Sequence, residues 1–191
     1  MHRPLSDAAG NAPGPQLRAA VTADIPAIRA LIDASVRGLS VGLYSDAEIE
    51  ESLLHVFGVD SQLIADGTYF VLDATGVLAA SGGWSRRSTL YGGDQVKQGG
   101  VDPLLDPAHD AARIRAFYVA PQFARRGLAR LLYAACEAAA VSAGFSRFQL
   151  GATLPGVPLY AALGFRQLER SDFVMPSGHR LPVIRMERAI P

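Results

Sequence analysis

A single cysteine, Cys136, stands in 191 residues. One thiol closes no intramolecular disulfide and builds no cysteine-based zinc site, so packing must hold the fold. A lone thiol also suits a reducing compartment. An excess of one charge is missing too: 18 Lys and Arg offset 18 Asp and Glu, for a formal net charge of zero. That excludes the broad basic footprint of a general nucleic-acid or anionic-membrane binder. No stretch reaches the roughly 18–20 apolar residues that span a bilayer. The nearest, around Leu131–Val141, is short, alanine-rich and interrupted by Glu137. The first residues lack the uninterrupted apolar run of a secretory signal. These absences set the expectation of a cytoplasmic protein with no nucleic-acid, membrane or metal partner.

What is present is apolar content. Hydrophobic residues make up 49% of the chain against 19% charged, enough for one continuous core and too much for wholesale disorder. Residues 1–16, with three prolines and two glycines and no apolar period, read as a flexible tail before one domain over 17–191. Leu17–Val21 suggests a short strand, and Thr22 or Asp24 can cap a helix carrying Ile28, Leu31, Ile32 and Ser35-Val36. Ser45-Asp46-Ala47-Glu48 is a capping box. The helix it opens shows Ile49, Leu53, Leu54 and Phe57 on one face and ends at Gly58. Tyr69–Leu72 and Val77–Trp84 form a hairpin about Asp73-Ala74-Thr75-Gly76.

The stretch Arg86–Ala112, rich in Gly and Pro, is longer than most connections in compact domains, and such loops are often functional or mobile. Ile114–Val119 is a further strand, closed by Ala120-Pro121. From about Arg126 to Ala143 runs the clearest helix, with Leu128, Leu131, Leu132, Ala135 and Ala139 on one face and Gly144 as its stop. Phe148–Ala152 is a strand, Val157–Ala162 a short helix, and Phe165–Met175 with Leu181–Met186 a final hairpin. Strands and helices in this order describe an α/β domain with a mixed sheet.

Between the strand and the long helix lies Ala124-Arg125-Arg126-Gly127-Leu128-Ala129. A helix N-terminus offers unpaired N–H groups and a positive dipole end to an anion. Gly127 lets the backbone approach a ligand, and Arg125, Arg126 and Arg130 suit phosphate oxygens. A diphosphate is a sensible occupant, although a solvated arginine-rich helix start has the same composition. Neither a Walker A loop nor a three-glycine dinucleotide fingerprint is present.

With its surroundings this turn resembles the GCN5-related N-acetyltransferase (GNAT) family. The likeness covers Ile114–Val119, the Ala120-Pro121 exit, the turn and the long helix. It resumes in Tyr160-Ala161-Ala162-Leu163-Gly164-Phe165, similar to the family's Tyr-x-x-Leu-Gly-Phe motif. Roughly residues 17–188 are then accounted for. One departure is Ala124, where the family usually has Gln or Arg, so one side-chain contact to the diphosphate is missing.

The resemblance implies a twisted mixed sheet flanked by helices, in which the parallel strands Ile114–Val119 and Phe148–Ala152 splay apart around the pantetheine arm of acetyl-CoA. Phe117, Tyr118 and Val119 would line that arm, with backbone groups of Phe117 and Val119 pairing its amides. Arg125 to Arg130, Gly127, Leu128 and Ala129 included, would hold the diphosphate. A primary amine of a small molecule or peptide would attack the thioester, and Tyr160 would protonate the leaving thiolate. The resemblance also admits a homodimer through the C-terminal strands. The strand before the turn offers no carboxylate, so the base stays open between a water chain, Asp94 or His109 of the long loop, and none. A non-catalytic acyl-CoA-binding module on the same fold is the alternative.

Elsewhere the residues carry weaker signals. Trp84, Tyr44 and Tyr91 suit either an acceptor pocket or the core. His55 and His179 have no metal-ligand company in the sequence, Cys136 suits buried packing, and Arg86-Arg87 suits a solvated loop face.

Overall fold

The computed structural model describes residues 14–97 and 102–190. Seven strands alternate with five helices: β1 (Gln16–Ala19), α1 (Ile25–Leu39), α2 (Asp46–His55), α3 (Ser61–Ala65), β2 (Tyr69–Ala74), β3 (Val77–Ser85) and β4 (Ala112–Val119). Then come α4 (Leu128–Ser142), β5 (Arg147–Ala152), α5 (Val157–Ala162), β6 (Arg166–Val174) and β7 (Arg180–Ala189). The strands form one sheet in the order β1-β2-β3-β4-β5-β7-β6. Every neighbouring pair is antiparallel except β4 and β5. The mixed α/β sheet expected from the sequence is therefore the fold.

Alternation along β2 separates two cores. Val71 and Tyr69 pack with Ile28, Ile32 and Val36 of α1. Leu72, pointing the other way, packs with Leu128 and Leu132 of α4. α1 and α4 thus cover opposite faces of the sheet.

Local chemistry accounts for the element ends. In the capping box of α2 the Glu48 carboxylate accepts the Ser45 N–H at 2.8 Å, while the Glu48 N–H reaches Ser45 Oγ at 3.3 Å. At the β2–β3 turn Thr75 (φ 55°) and Gly76 (φ 90°) both have positive φ, as a type I′ hairpin requires. The Asp73 carboxylate accepts the Gly76 N–H there at 2.7 Å.

Some boundaries and faces differ from the pattern in the sequence. β1 begins at Gln16, and residues 1–13 of the expected tail lie outside the described residues. α2 stops at His55 rather than Gly58, with Ser52 buried and Leu54 exposed. The buried face of α4 carries Tyr133, Cys136 and Ala140 beside Leu128 and Leu132, and Leu131 is exposed. α3 has no counterpart in the sequence pattern. It is capped by Asp60, and the Asp94 carboxylate accepts the Ser61 N–H at 3.0 Å.

A buried ion pair joins this region to β4. Arg115 leaves the strand with its side chain 1% exposed and lies 2.7 Å from Asp60, which is fully buried. Asp60 Oδ2 makes no aligned hydrogen bond, so Coulomb attraction carries that side of the contact. Its other oxygen meets the Lys97 ammonium. The guanidinium also donates to the carbonyls of Thr89 (2.8 Å) and Gly92 (2.6 Å). Removing one member leaves a buried charge uncompensated, which typically costs about 3–5 kcal/mol. Asp60→Ala is expected to lower the unfolding free energy from urea titration by that amount, as a lower midpoint at an unchanged slope. A loss under about 1 kcal/mol would show that the pair contributes no more than a surface one.

Candidate active site

The site starts where β4 and β5 stop pairing. Their partners are Ala112↔Phe148 and Arg113↔Gln149, and no pair follows. The cause lies on the other edge of β4. Against β3 the register runs Ser81↔Tyr118 and then Gly83↔Arg115, so Gly82 faces two residues, Ala116 and Phe117. Such a bulge bends the strand, and Ala116 takes a φ of 55° to make it. A Cβ at Gly82 would lie 2.6 Å from the Phe117 ring, so any other residue there would have to displace that ring.

Past the divergence a cleft of about 210 Å³ opens. Phe117, Tyr118 and Val119 line it from β4, Gly151–Thr153 from β5 and beyond, Ala129 from α4 and Tyr160 from α5. Ala120 N–H donates to Ala79 C=O across to β3 at 2.9 Å, so alternation turns the Val119 peptide groups toward the open edge. The Val119 N–H there donates to Ser35 Oγ of α1 at 3.2 Å. Ser35 is a cleft residue that the sequence marks only as part of an apolar stripe.

At one end of the cleft stands the arginine turn. Arg125 (φ 63°) and Gly127 (φ 83°) are both left-handed, and α4 begins directly after. The first N–H groups to find an acceptor are those of Arg130 and Leu131, both on Gly127 C=O. Five consecutive N–H groups, Arg125 to Ala129, have no acceptor among the described residues. Concave rows of this kind bind anions. Arg125, Arg126 and Arg130 are exposed or nearly so, with no carboxylate within 4.0 Å among the described residues. Arg126 lies over the Phe123 ring at 5.5 Å. The turn therefore carries both the donors and the charge for a diphosphate.

Tyr160 is 8% exposed, with its ring 6.3 Å from Phe117 and 5.7 Å from Phe165. No hydrogen bond engages its hydroxyl among the described residues, and burial pushes its proton affinity well above that of an ordinary phenol. It stays protonated at neutral pH and can donate a proton but not take one up.

The other residues singled out in the sequence scatter. Tyr91 lines the cleft. Tyr44 does not line it; its hydroxyl accepts the Leu154 N–H at 2.9 Å and so steadies the approach to α5. Trp84 is buried core, edge-to-face with Phe145 at 6.0 Å. Arg87 pairs with Asp66 at 2.7 Å. His109, 82% exposed, faces Asp106, and Asp94 is occupied at α3, so neither is at the cleft. Cys136 is buried, and burial raises its thiol.

The far wall of the cleft is tied shut by the β6–β7 turn. Glu51 of α2 accepts the Ser177 N–H at 2.8 Å and the Ser177 hydroxyl, and faces His179 Nδ1 at 2.8 Å. Leu181 and Val183 of β7 and Val56 and Phe57 after α2 line the cleft behind this clamp.

Comparison with known proteins followed from this geometry. A family model described as "Acetyltransferase (GNAT) family" matches residues 40–165. No curated protein matches by sequence. Among solved structures, the chain is similar to a GCN5-related N-acetyltransferase from Rhodopseudomonas palustris, at a TM-score of 0.68 and 18% identity over 99% of both chains. It is similar to PaiA N-acetyltransferase from Thermoplasma acidophilum in complex with coenzyme A, at 0.61 and 12% over 92% and 98%. A third is the ribosomal-protein-S18-alanine N-acetyltransferase from Escherichia coli, at 0.58 and 18% over 92% and 94%. At these identities the likeness is one of fold.

The clamp has a definite pH signature. Hydrogen bonds from Ser177 hold the Glu51 carboxyl down at about 2 against an ordinary 4.5. A depressed carboxyl contributes fully above its unfolded value and loses its contribution as pH falls toward the folded one. Amide-exchange protection at Ser177 is therefore expected to fall between about pH 4.5 and about pH 2. In Glu51→Gln that dependence should vanish, and protection that still falls would assign the effect to another group.

Proposed function

The chain belongs to the acetyltransferase (GNAT) family, and we propose that it transfers the acetyl group of acetyl-CoA to a primary amine of a small molecule or peptide, with Tyr160 as the acid. One observation carries this reading: a row of N–H groups at Arg125–Ala129 has no acceptor among the described residues, and its last member, Ala129, lines the same cleft as Tyr160. The Thermoplasma relative in complex with coenzyme A supports the choice of donor.

The residues present fit that donor. Backbone N–H groups of Arg125, Arg126, Gly127, Leu128 and Ala129 bind the diphosphate, and Arg125, Arg126 and Arg130 neutralise it. Ala124 adds no side-chain contact; the flanking arginines take its place. The open edge of β4 at Phe117 and Val119 orients the extended arm as an added strand would be held. The Tyr118 ring walls that arm. Ser35 engages the Val119 N–H and so sits at the point where that edge changes partner. Acetyl-CoA supplies an activated acyl group whose C–S bond breaks as a C–N bond to the amine forms. Phe117, Tyr160 and the apolar walls exclude water from that exchange. Tyr160 holds a proton near the departing sulfur and donates it there. Orientation of two bound reactants supplies much of the remaining acceleration.

Two measurements test the assignment. Tyr160→Phe is expected to lower turnover about 100-fold while acetyl-CoA affinity by calorimetry stays within about threefold. Unchanged turnover would remove Tyr160 from the chemistry. Replacing Arg125, Arg126 and Arg130 together by Ala should weaken acetyl-CoA binding by at least about tenfold at low salt, and added salt should narrow the difference. Affinity indifferent to all three would place the diphosphate elsewhere. Saturable acetyl-CoA binding without thiol release for any amine would favour a binding module on the same fold.

A further inference from the structure

We infer that the acceptor is an amine already uncharged at neutral pH and carried on an apolar, aromatic body, of the arylamine class; this rests on the acetyltransferase reading. The observation is a deficit of charge. Among the described residues, no Asp, Glu, Lys, Arg or His lines the cleft. Its polar side chains are hydroxyls alone: Ser35, Ser40, Tyr91, Tyr118, Thr153 and Tyr160.

Charge nearby is turned away or already matched. β4 carries two arginines. Arg113 donates to Gln149 Oε1 at 2.8 Å, and Arg115 is spent on Asp60 and on the carbonyls of Thr89 and Gly92. Of these two, Gly92 lines the cleft. Asp60 is held between Arg115 and Lys97, Asp94 caps α3, Glu48 caps α2, and Glu51 holds the β6–β7 turn. Among the described residues the ionisable side chains lining the cleft are three tyrosines, and burial raises the proton affinity of each. None of them takes a proton from an ammonium at neutral pH.

The lining residues outside β4, α4 and α5 include Val56, Phe57, Leu90, Tyr91, Leu181 and Val183, and these are the walls left to an acceptor. Gly151 keeps these walls close, since a Cβ there would lie 2.8 Å from the Tyr91 ring and 2.9 Å from Val183. A flat apolar ring fits such walls, whereas a buried cation with no counter-charge is costly. An alkylamine with a pKa near ~10 presents its free base as only about one part in a thousand at pH 7. An arylamine presents nearly all of it.

The experiment uses the full chain, acetyl-CoA and two isomeric amines of one size, 4-methylaniline and benzylamine, which differ mainly in basicity. Calorimetry first establishes acetyl-CoA binding; its failure would sink the acetyltransferase reading and is seen before any amine is added. Thiol release should then give kcat/KM at pH 7 at least about tenfold higher for 4-methylaniline, and flat from about pH 6 to about pH 9. For benzylamine it should climb about tenfold per pH unit toward the amine's own pKa. A preference for benzylamine at pH 7, or a plateau set by an enzyme group near neutrality, overturns the inference. So does thiol release with neither isomer from a protein that binds acetyl-CoA. Phe57→Glu, which puts a carboxylate at the partly exposed rim, should move the ratio about tenfold toward benzylamine; an unmoved ratio in a variant that still binds acetyl-CoA counts against the inference.

Discussion

The bulge at Ala116 is the constraint from which the rest of the structure follows. By setting two residues of β4 against Gly82, it bends the strand away from β5 after only two paired positions. A sheet that loses pairing in its centre exposes backbone donors and acceptors that need partners. The molecule answers in part with Ser35, whose hydroxyl takes the Val119 N–H, and leaves the remainder of that edge facing a cleft. α4 begins beside this opening, and Ala129 of its first turn lines the cleft with Phe117, Tyr118 and Val119 of β4.

Arg115 links this opening to stability. A charged side chain on the strand beside the bulge could have pointed into the cleft. It is instead buried against Asp60 and holds two loop carbonyls. The long connection between β3 and β4 is further fixed by Arg87 on Asp66, and by Asp102, which accepts from Ser88 and Thr89. The described part of that loop is therefore pinned at several points and contributes Leu90, Tyr91 and Gly92 to the cleft. One ion pair both holds the loop in place and keeps the cleft free of charge.

Legibility in the sequence followed the range of each interaction. The Ser45 capping box, the Asp73–Gly76 turn and the Arg125–Ala129 turn are local, and each could be read from a few adjacent residues. The Tyr160 motif could be read because its short helix and Gly164 stop are local too. α3 could not: five residues are too few to show a period, and its caps come from Asp60 and Asp94, the second far along the chain. The buried face of α4 is legible only at Leu128 and Leu132, because alanines give little apolar contrast and Tyr133 and Cys136 share the packing. Nothing in Ala116 announces a positive φ, and Ser35 and Arg115 act through partners 84 and 55 residues away (119 − 35 and 115 − 60). What failed to show was tertiary, and the shape of the cleft is tertiary.

Proton accounting ties the charge-free walls to the proposed acid. A neutral amine that becomes an amide gives up one proton, and the departing thiolate takes up one. Tyr160 can pass its proton to the sulfur and recover one from the nitrogen, so the exchange closes within the cleft. An ammonium brings a second proton, which would have to leave past hydroxyls whose proton affinity burial has raised. Among the described residues, no carboxylate or imidazole lines that route. An acid without a partner base is therefore a coherent design for an acceptor that arrives already deprotonated, and an incomplete one for any acceptor that does not.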